Sequence, residues 1–442
     1  MQTRARFTFG VRFRRLPLAA LVALCALGVG TALRTVWVDD IEYKGDEAWT
    51  FERTQHAGVD EPIPKLGMPT SYEVRHPGGT VWVFIAMAKV FGLTTPTDLG
   101  RACQLANALA LVLLVWFAYR CVAPAEREPW LWAAALASVN PLAVVFHRKI
   151  WPPSVVPPFT MLALIAWWHR DRRAGAFCWG LLSVLVGQLH PGALFLALGF
   201  AAWTFAFDRK GTRWWYWAAG CAVATLTLVP WLLYALEATG QNPISQRKIG
   251  NLFTGRFWIN WVTEANGLSL HYTLGADFWD FLRQPVFGGV PSYGVGALHV
   301  LMIGTGLAIG GHWIARARRA RRGAARANET GRTNRTTLAV AAGCFGFGIA
   351  FTLTGLPIHR HYMNLTFPLM YLWLALVALG PTRSAVTEGE RARGRTLLLA
   401  MCLLQFAVSA SFLGYVHQNQ RPLAGDYGTP YRAQITHGLP PH

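Results

Sequence analysis

The chain has 442 residues, of which 53% are hydrophobic and only 14% charged. Its formal net charge is +19, from 41 Lys and Arg against 22 Asp and Glu. Soluble domains carry roughly 25% charged residues, so this composition excludes intrinsic disorder and argues against a soluble enzyme. A nucleic-acid binder this basic would not carry long uncharged apolar runs, and no nucleic-acid partner is expected.

A bilayer-crossing helix needs about 20 mostly apolar residues. In chain order, runs free of Asp, Glu, Lys and Arg lie at 16–33, 102–119, 129–146, 150–168, 174–207, 214–236, 336–358, 361–382 and 396–416, with a further span near 294–315. The run 174–207 is too long for one crossing. It is interrupted by Gln188-Leu189-His190-Pro191-Gly192, which predicts two helices meeting in a tight turn. Eleven crossings follow, and the expected fold class is an all-α polytopic membrane helix bundle.

Basic residues mark the cytoplasmic side. Arg4, Arg6, Arg12, Arg14 and Arg15 precede the first span, and every second loop is basic: Arg120/Arg127, Arg170/Arg172/Arg173, Arg209/Lys210/Arg213, Arg316 to Arg335, and Arg383 to Arg395. The expected layout is a cytoplasmic N-terminus at 1–15, a first membrane helix at 16–38 and an external loop at 39–101. The bundle then covers 102–416, with an external loop at about 237–293 and a basic cytoplasmic loop at 316–335; 417–442 is an external tail. This is the layout of a multi-pass protein of the plasma (inner) membrane. The Arg-rich start also fits a secretory signal, but an uncleaved anchor is expected. Seven scattered Cys suggest neither a disulfide framework nor a metal site.

Ten of the 22 acidic residues fall between 39 and 98: Asp39, Asp40, Glu42, Asp46, Glu47, Glu52, Asp60, Glu61, Glu73 and Asp98. Most of them fit a solvated loop. Asp46 and Glu47 stand apart, because they follow Gly45 and open the stretch 46–55, a short helix with acids in its first turn. Capping and dipole complementation explain such acids as well as chemistry does. Further on, 81–92 is apolar but too short to span, and segments of this length are commonly re-entrant or interfacial. Arg75 and His76 precede it and would sit at headgroup depth, where a cation and an imidazole suit a lipid phosphate.

This pattern of a first span, a long external loop opening with an Asp-Glu pair, a His-Pro-led amphipathic segment ending in Phe91-Gly92, and Arg101 with Asn107 entering the second span resembles the polytopic GT-C glycosyltransferases. The likeness is to the branch that contains the protein O-mannosyltransferases and the lipid A aminoarabinose transferase. It covers the first two hundred residues and recurs near 355–380. Asn140-Pro141 through His147-Arg148-Lys149 resembles the family's second external loop, Gln188 to Pro191 its third, and Gly355 through His359-Arg360-His361-Tyr362 its Arg-Tyr segment. The resemblance implies that Asp46 is catalytic, with Glu47 beside it. It implies a polyprenyl-phosphate sugar as donor, an acceptor that is protein, lipid or glycan, and inversion at the anomeric carbon. No cofactor is required. The family often has an acid after the Arg of its second loop, whereas this chain has Trp151-Pro152-Pro153-Ser154, which argues against a divalent metal.

Sugar transfer from such a carrier needs a carboxylate to take the acceptor's proton and fixed cations where negative charge grows on the leaving phosphate. Asp46 is the candidate base. His76, Arg148, Lys149, Arg360 and Tyr362 are candidates for the donor phosphate, and Asp40, Arg75, His147, His190 and His361 are further candidates for contacting substrate. Arg148 and Lys149 also end a span and would snorkel there regardless, and His190 would equally serve its own turn. The rival class is a transporter or flippase. Transporters place ionisable groups within spans near the midplane, whereas these spans are nearly free of Asp and Glu.

Overall fold

The computed structural model describes residues 17–69, 74–241, 248–323, 334–380 and 386–438. Glu73, Arg247, Arg383, the Arg-rich N-terminus and residues 324–333 of the 316–335 loop lie outside the described residues. The chain is a helical membrane bundle whose only sheets are two short ribbons among the described residues. Among the described residues, six helices are long and apolar enough to cross a bilayer. They are α1 (Leu18–Thr35), α4 (Pro96–Arg120), α10 (Trp214–Gln241), α14 (Gly294–Gly323), the continuous run Arg335–Thr352 made of α15 (Arg335–Ala341), a π-helical turn and α16 (Gly348–Thr352), and α18 (Glu388–Gln418). A seventh is a bent pair, Arg360–Thr366 and α17 (Leu369–Leu379), meeting at 79° where Phe367 and Pro368 interrupt the helix.

Seven of the eleven expected crossings thus reach that length among the described residues. The other four runs are helical but short: α5 (Arg127–Val139) and α7 (Val156–Trp168) have 13 residues each, α8 (Arg173–Leu189) and α9 (Gly192–Asp208) 17 each. Proline is the cause. Pro141 ends α5 and restarts the chain as α6 (Pro141–Phe146), with Asn140 accepting a capping bond from the Ala143 N–H at 3.3 Å. Pro lacks the N–H that would continue the helix and is tolerated in its first turn. Pro152 and Pro153 delay α7 in the same way, and the Gln188–Gly192 turn separates α8 from α9 as the sequence predicts.

Two arginines bind the first helix to the bundle. Arg34 donates to Gly30 O, Ser138 O and Ala137 O at 2.7 to 3.0 Å, satisfying carbonyls at the end of α5. Arg148 donates to the carbonyls of Leu33, Arg34, Val36 and Trp37 at 2.7 to 2.9 Å. The last carbonyls of a helix have no partner within it, so each guanidinium closes a helix end that would otherwise be buried bare. Gly30 permits this approach, since a Cβ there would come within 2.5 Å of Ser138 O.

The loop after α1 folds as α2 (Gly45–His56), a ribbon of β1 (Leu66–Pro69) and β2 (Arg75–Pro77), and α3 (Gly79–Phe91). The second membrane helix begins at Pro96 rather than 102, because Thr95 caps it through the Asp98 N–H. Between α10 and α14 stand α11 (Arg256–Ala265), α12 (Leu270–Leu274), α13 (Phe278–Leu282) and the ribbon of β3 (Val286–Phe287) and β4 (Val290–Pro291). After α18 the chain turns back over the first loop. Tyr431 N–H donates to Ile41 O at 2.9 Å, Pro430 bridges Glu42, and Ala424 N–H donates to Asp277 at 2.6 Å, before α19 (Tyr431–His437). The expected free tail at 417–442 is thus, over its described residues, a strap across the site.

Candidate functional site

Two adjoining cavities lie where the first loop, the 147–153 loop, the 359–362 segment and the C-terminal strap converge. The smaller, of about 230 Å³, is lined by Lys44, Phe146, Lys149, Trp151, Arg256, Asn260, Tyr272, His359, Arg360, His361 and Asp426. The larger, of about 460 Å³, holds Asp46, His76, His190, Tyr362 and the rings of Phe195 and Phe351, and shares Trp151, His359 and His361 with its neighbour.

Asp46 opens α2 and is exposed, with its carboxylate accepting from the Trp151 indole N–H at 3.2 Å. The capping role belongs to Glu47, which accepts from the Lys44 N–H at 3.0 Å and is buried. Burial first, and the charge of Glu42 second, push the Glu47 carboxyl up to about 7. The two adjacent acids are thus divided, one facing the cavity and one inward.

Lys149 is buried, pairs with Glu42, and holds its ammonium 4.7 Å from the Phe146 ring centre. Burial lowers its pKa, with Glu42 opposing. Lys44 also pairs with Glu42, at 2.5 Å. Arg360 lies on the other side of Phe146, its guanidinium 5.4 Å from that ring, and donates to Ser269 O at 3.0 Å and to Thr273 Oγ1 at 2.6 Å. Its Nη2 is 3.7 Å from the Asp426 carboxylate, and its Nε is buried without a partner.

The histidines form a row across the larger cavity. Ring centres are 6.2 Å apart from His76 to His190, 5.8 Å from His190 to His361, and 5.5 Å from His361 to His359. His190 Nδ1 accepts from the Gly192 N–H at 3.1 Å, so the turn accounts for that nitrogen, and Nε2 is left for the cavity. Burial pushes His76 down to about 4 and His190 to about 3. Burial thus favours the neutral form of both rings at neutral pH, in which they hydrogen-bond without adding charge.

Four sequence candidates lie elsewhere. Arg148 lines neither cavity, since α1's carbonyls occupy it, and this corrects its assignment to the donor phosphate. His147 is wholly buried between Arg34 Nε at 3.0 Å and Asn364 Oδ1 at 3.2 Å. Asp40 is buried against His417 Nδ1 at 2.7 Å, tying the first loop to the end of α18. Arg75 lines a separate groove.

Sequence reasoning missed Lys44, Arg256, Asn260, Tyr272 and Asp426. Asp426 carries the one readable signal, an acid between glycines in Gly425-Asp426-Tyr427-Gly428 beyond the last span. Among the described residues no three His, Cys, Asp or Glu side chains are placed to hold a metal ion. The charges facing the smaller cavity are those of Lys44, Lys149, Arg256 and Arg360, with Asp426 opposing them.

No model of a known protein family matches the chain. No curated protein matches it either. Among solved structures it is similar to the oligosaccharyltransferase of Archaeoglobus fulgidus in the apo form, at 13% identity and a TM-score of 0.44, over 89% of this chain and 56% of that one. The same enzyme tethered to an acceptor peptide gives 14% identity and 0.46, over 89% of this chain and 55% of that one. The archaeal enzyme with an inhibitory peptide and a dolichol-phosphate gives 15% and 0.38, over the same shares of the two chains. The chain spans about half the length of these structures, and at such values the likeness assigns no residue.

Proposed function

We propose that this protein is a membrane glycosyltransferase of GT-C type that moves a sugar from a polyprenyl-phosphate carrier to an acceptor hydroxyl on the extracytoplasmic face. The observation that carries this reading is the placement of the Asp46 carboxylate on one side of Trp151 and the cations Lys149, Arg360, Arg256 and Lys44 on the other. In this reading the donor's phosphate rests in the smaller cavity with its sugar reaching past Trp151. Asp46 takes the proton of the acceptor hydroxyl. The oxygen attacks the anomeric carbon, the bond to the phosphate oxygen breaks, and the departing electron pair stays on a phosphate faced by Arg360 and Lys149. Tyr362, His190 and His361 offer neutral hydrogen bonds to the sugar's hydroxyls. Attack from the side opposite the phosphate inverts the configuration, as the family resemblance implies.

The test incubates purified protein with a panel of polyprenyl-phosphate sugars and follows donor consumption by mass spectrometry. One donor should be consumed by the wild type and spared by Asp46→Asn. Equal consumption by both proteins would remove Asp46 from the mechanism. The sidedness is tested by phosphatase fusions, active after residue 265 and silent after residue 325; reversed signals would put the site in the wrong compartment.

A further inference from the structure

Beside the Asp46 cavity lies a third depression, of about 500 Å³, in the first loop. The same elements wall both. Helix α2 gives Trp49 and Arg53 to the groove, and these stand three and seven residues after Asp46, on one helix face. Lys65 and Leu66 line the groove while Met68 and Pro69, farther along the same segment, line the cavity; β2 likewise gives Arg75 to one and His76 to the other. Groove and cavity are consecutive compartments along α2.

The groove's chemistry differs from that of either cavity. Arg53 is held by Glu61 and lies 5.6 Å from the Trp49 ring. Lys65 and Arg75 are exposed, and no ion pair among the described residues involves either. The Arg75 backbone is pinned to α10, its N–H donating to the Tyr234 hydroxyl at 3.2 Å and its carbonyl accepting from the Trp231 indole at 2.8 Å. A free cation thus stands on a fixed mount beside a half-buried indole.

We propose that this groove is the acceptor subsite and that it takes an extended glycan bearing carboxylate or phosphate groups. Its sugar rings lie against Trp49 and its anionic groups meet Lys65 and Arg75, which delivers a hydroxyl along α2 to Asp46. This rests on the reading of Asp46 as the base. A peptide fits less well, because an extended peptide is held by backbone hydrogen bonds. Pro62 and Pro64 in the groove wall have no N–H to offer, and the Pro64 carbonyl already accepts from the Trp82 indole at 2.7 Å. A glycan needs an aromatic face and side-chain donors, and the groove has both.

The probe is a fluorescent hexamer of galacturonic acid, titrated by anisotropy into the full-length protein in detergent with no donor present. Maltohexaose and a hexaglutamate peptide serve as comparators. The anionic glycan should bind about tenfold more tightly than the neutral one, and added salt should erode that margin. Lys65→Gln with Arg75→Gln should weaken it about tenfold, as expected for losing two charge-assisted contacts, and Trp49→Ala should weaken both glycans. Absent binding, indifference to these substitutions, or equal binding of hexaglutamate would overturn the proposal. Because no donor is present, this outcome is separate from the donor-consumption assay, so either reading fails on its own result.

Discussion

The two adjoining cavities share Trp151, His359 and His361, yet they are chemical opposites. The smaller faces four cations and the carboxylate of Asp426. The larger has Asp46 as its sole charged side chain, a row of imidazoles that are neutral at its His76 and His190 end, and the rings of Phe195 and Phe351. A carboxylate paired with one of these cations would be poorly placed to accept a hydroxyl's proton. Here the indole of Trp151 stands between them. Glu42, behind the wall, balances Lys44 and Lys149 without entering either cavity.

That contrast can be broken at several points. The largest effect is expected for Asp46→Asn. Turnover should fall by about 10²- to 10⁴-fold, the usual weight of positioned proton transfer, with yield and melting temperature unchanged. A variant within threefold of wild type by product mass spectrometry would end the division of roles. Next come two arginines that look alike in sequence. Arg360→Gln should raise the donor KM by about 10- to 100-fold, the cost of a hydrogen bond to a charged group. Arg148→Gln should instead lower the melting temperature, since each buried carbonyl it leaves bare costs about 1–3 kcal/mol, with donor KM unaltered in the protein that folds. Exchanged outcomes would show the cavities misread.

His76→Gln sharpens the comparison on the neutral side. Replacing a neutral ring with a neutral amide should change donor KM less than Arg360→Gln does, and equal losses would mean that the imidazole carries charge in the complex. The smallest effect concerns Glu47. Its pKa is raised from the ordinary 4.5 to about 7, so the folded chain keeps a proton the unfolded chain releases. The stability this contributes is complete below about pH 4.5 and is lost as pH rises through about 7. Glu47→Gln should therefore gain in relative melting temperature between pH 5 and 8; a parallel pair of pH profiles would count against the burial argument.

Much of the fold was legible. Apolar runs, the Pro191 turn and the start of α2 at Gly45 all follow from local rules, because span length, proline and glycine act within a few residues. The shortfall in full-length crossings shows where such rules stop, since charge-free runs at 129–146 and 150–168 hide the prolines that divide or shorten them. The site was legible in part. Asp46, Lys149, Arg360 and Tyr362 each line a cavity. Arg148, next to Lys149, was indistinguishable from it by type and position, and only the end of α1 decides that one turns into the bundle and the other toward the smaller cavity. The strap from 421 to 437 has no periodicity to read. Its place depends on pairings with residues nearly four hundred positions earlier, such as Tyr427 with Asp40.

That strap has a consequence for biogenesis. Asp426 follows the last long helix in the chain, and the strap's anchors are Ile41, Tyr43 and Asp277, drawn from opposite halves of the chain. A copy threaded with one helix reversed would strand those anchors on different sides of the bilayer and leave the cationic pocket without its roof. A misthreaded copy would therefore lack the assembled pocket.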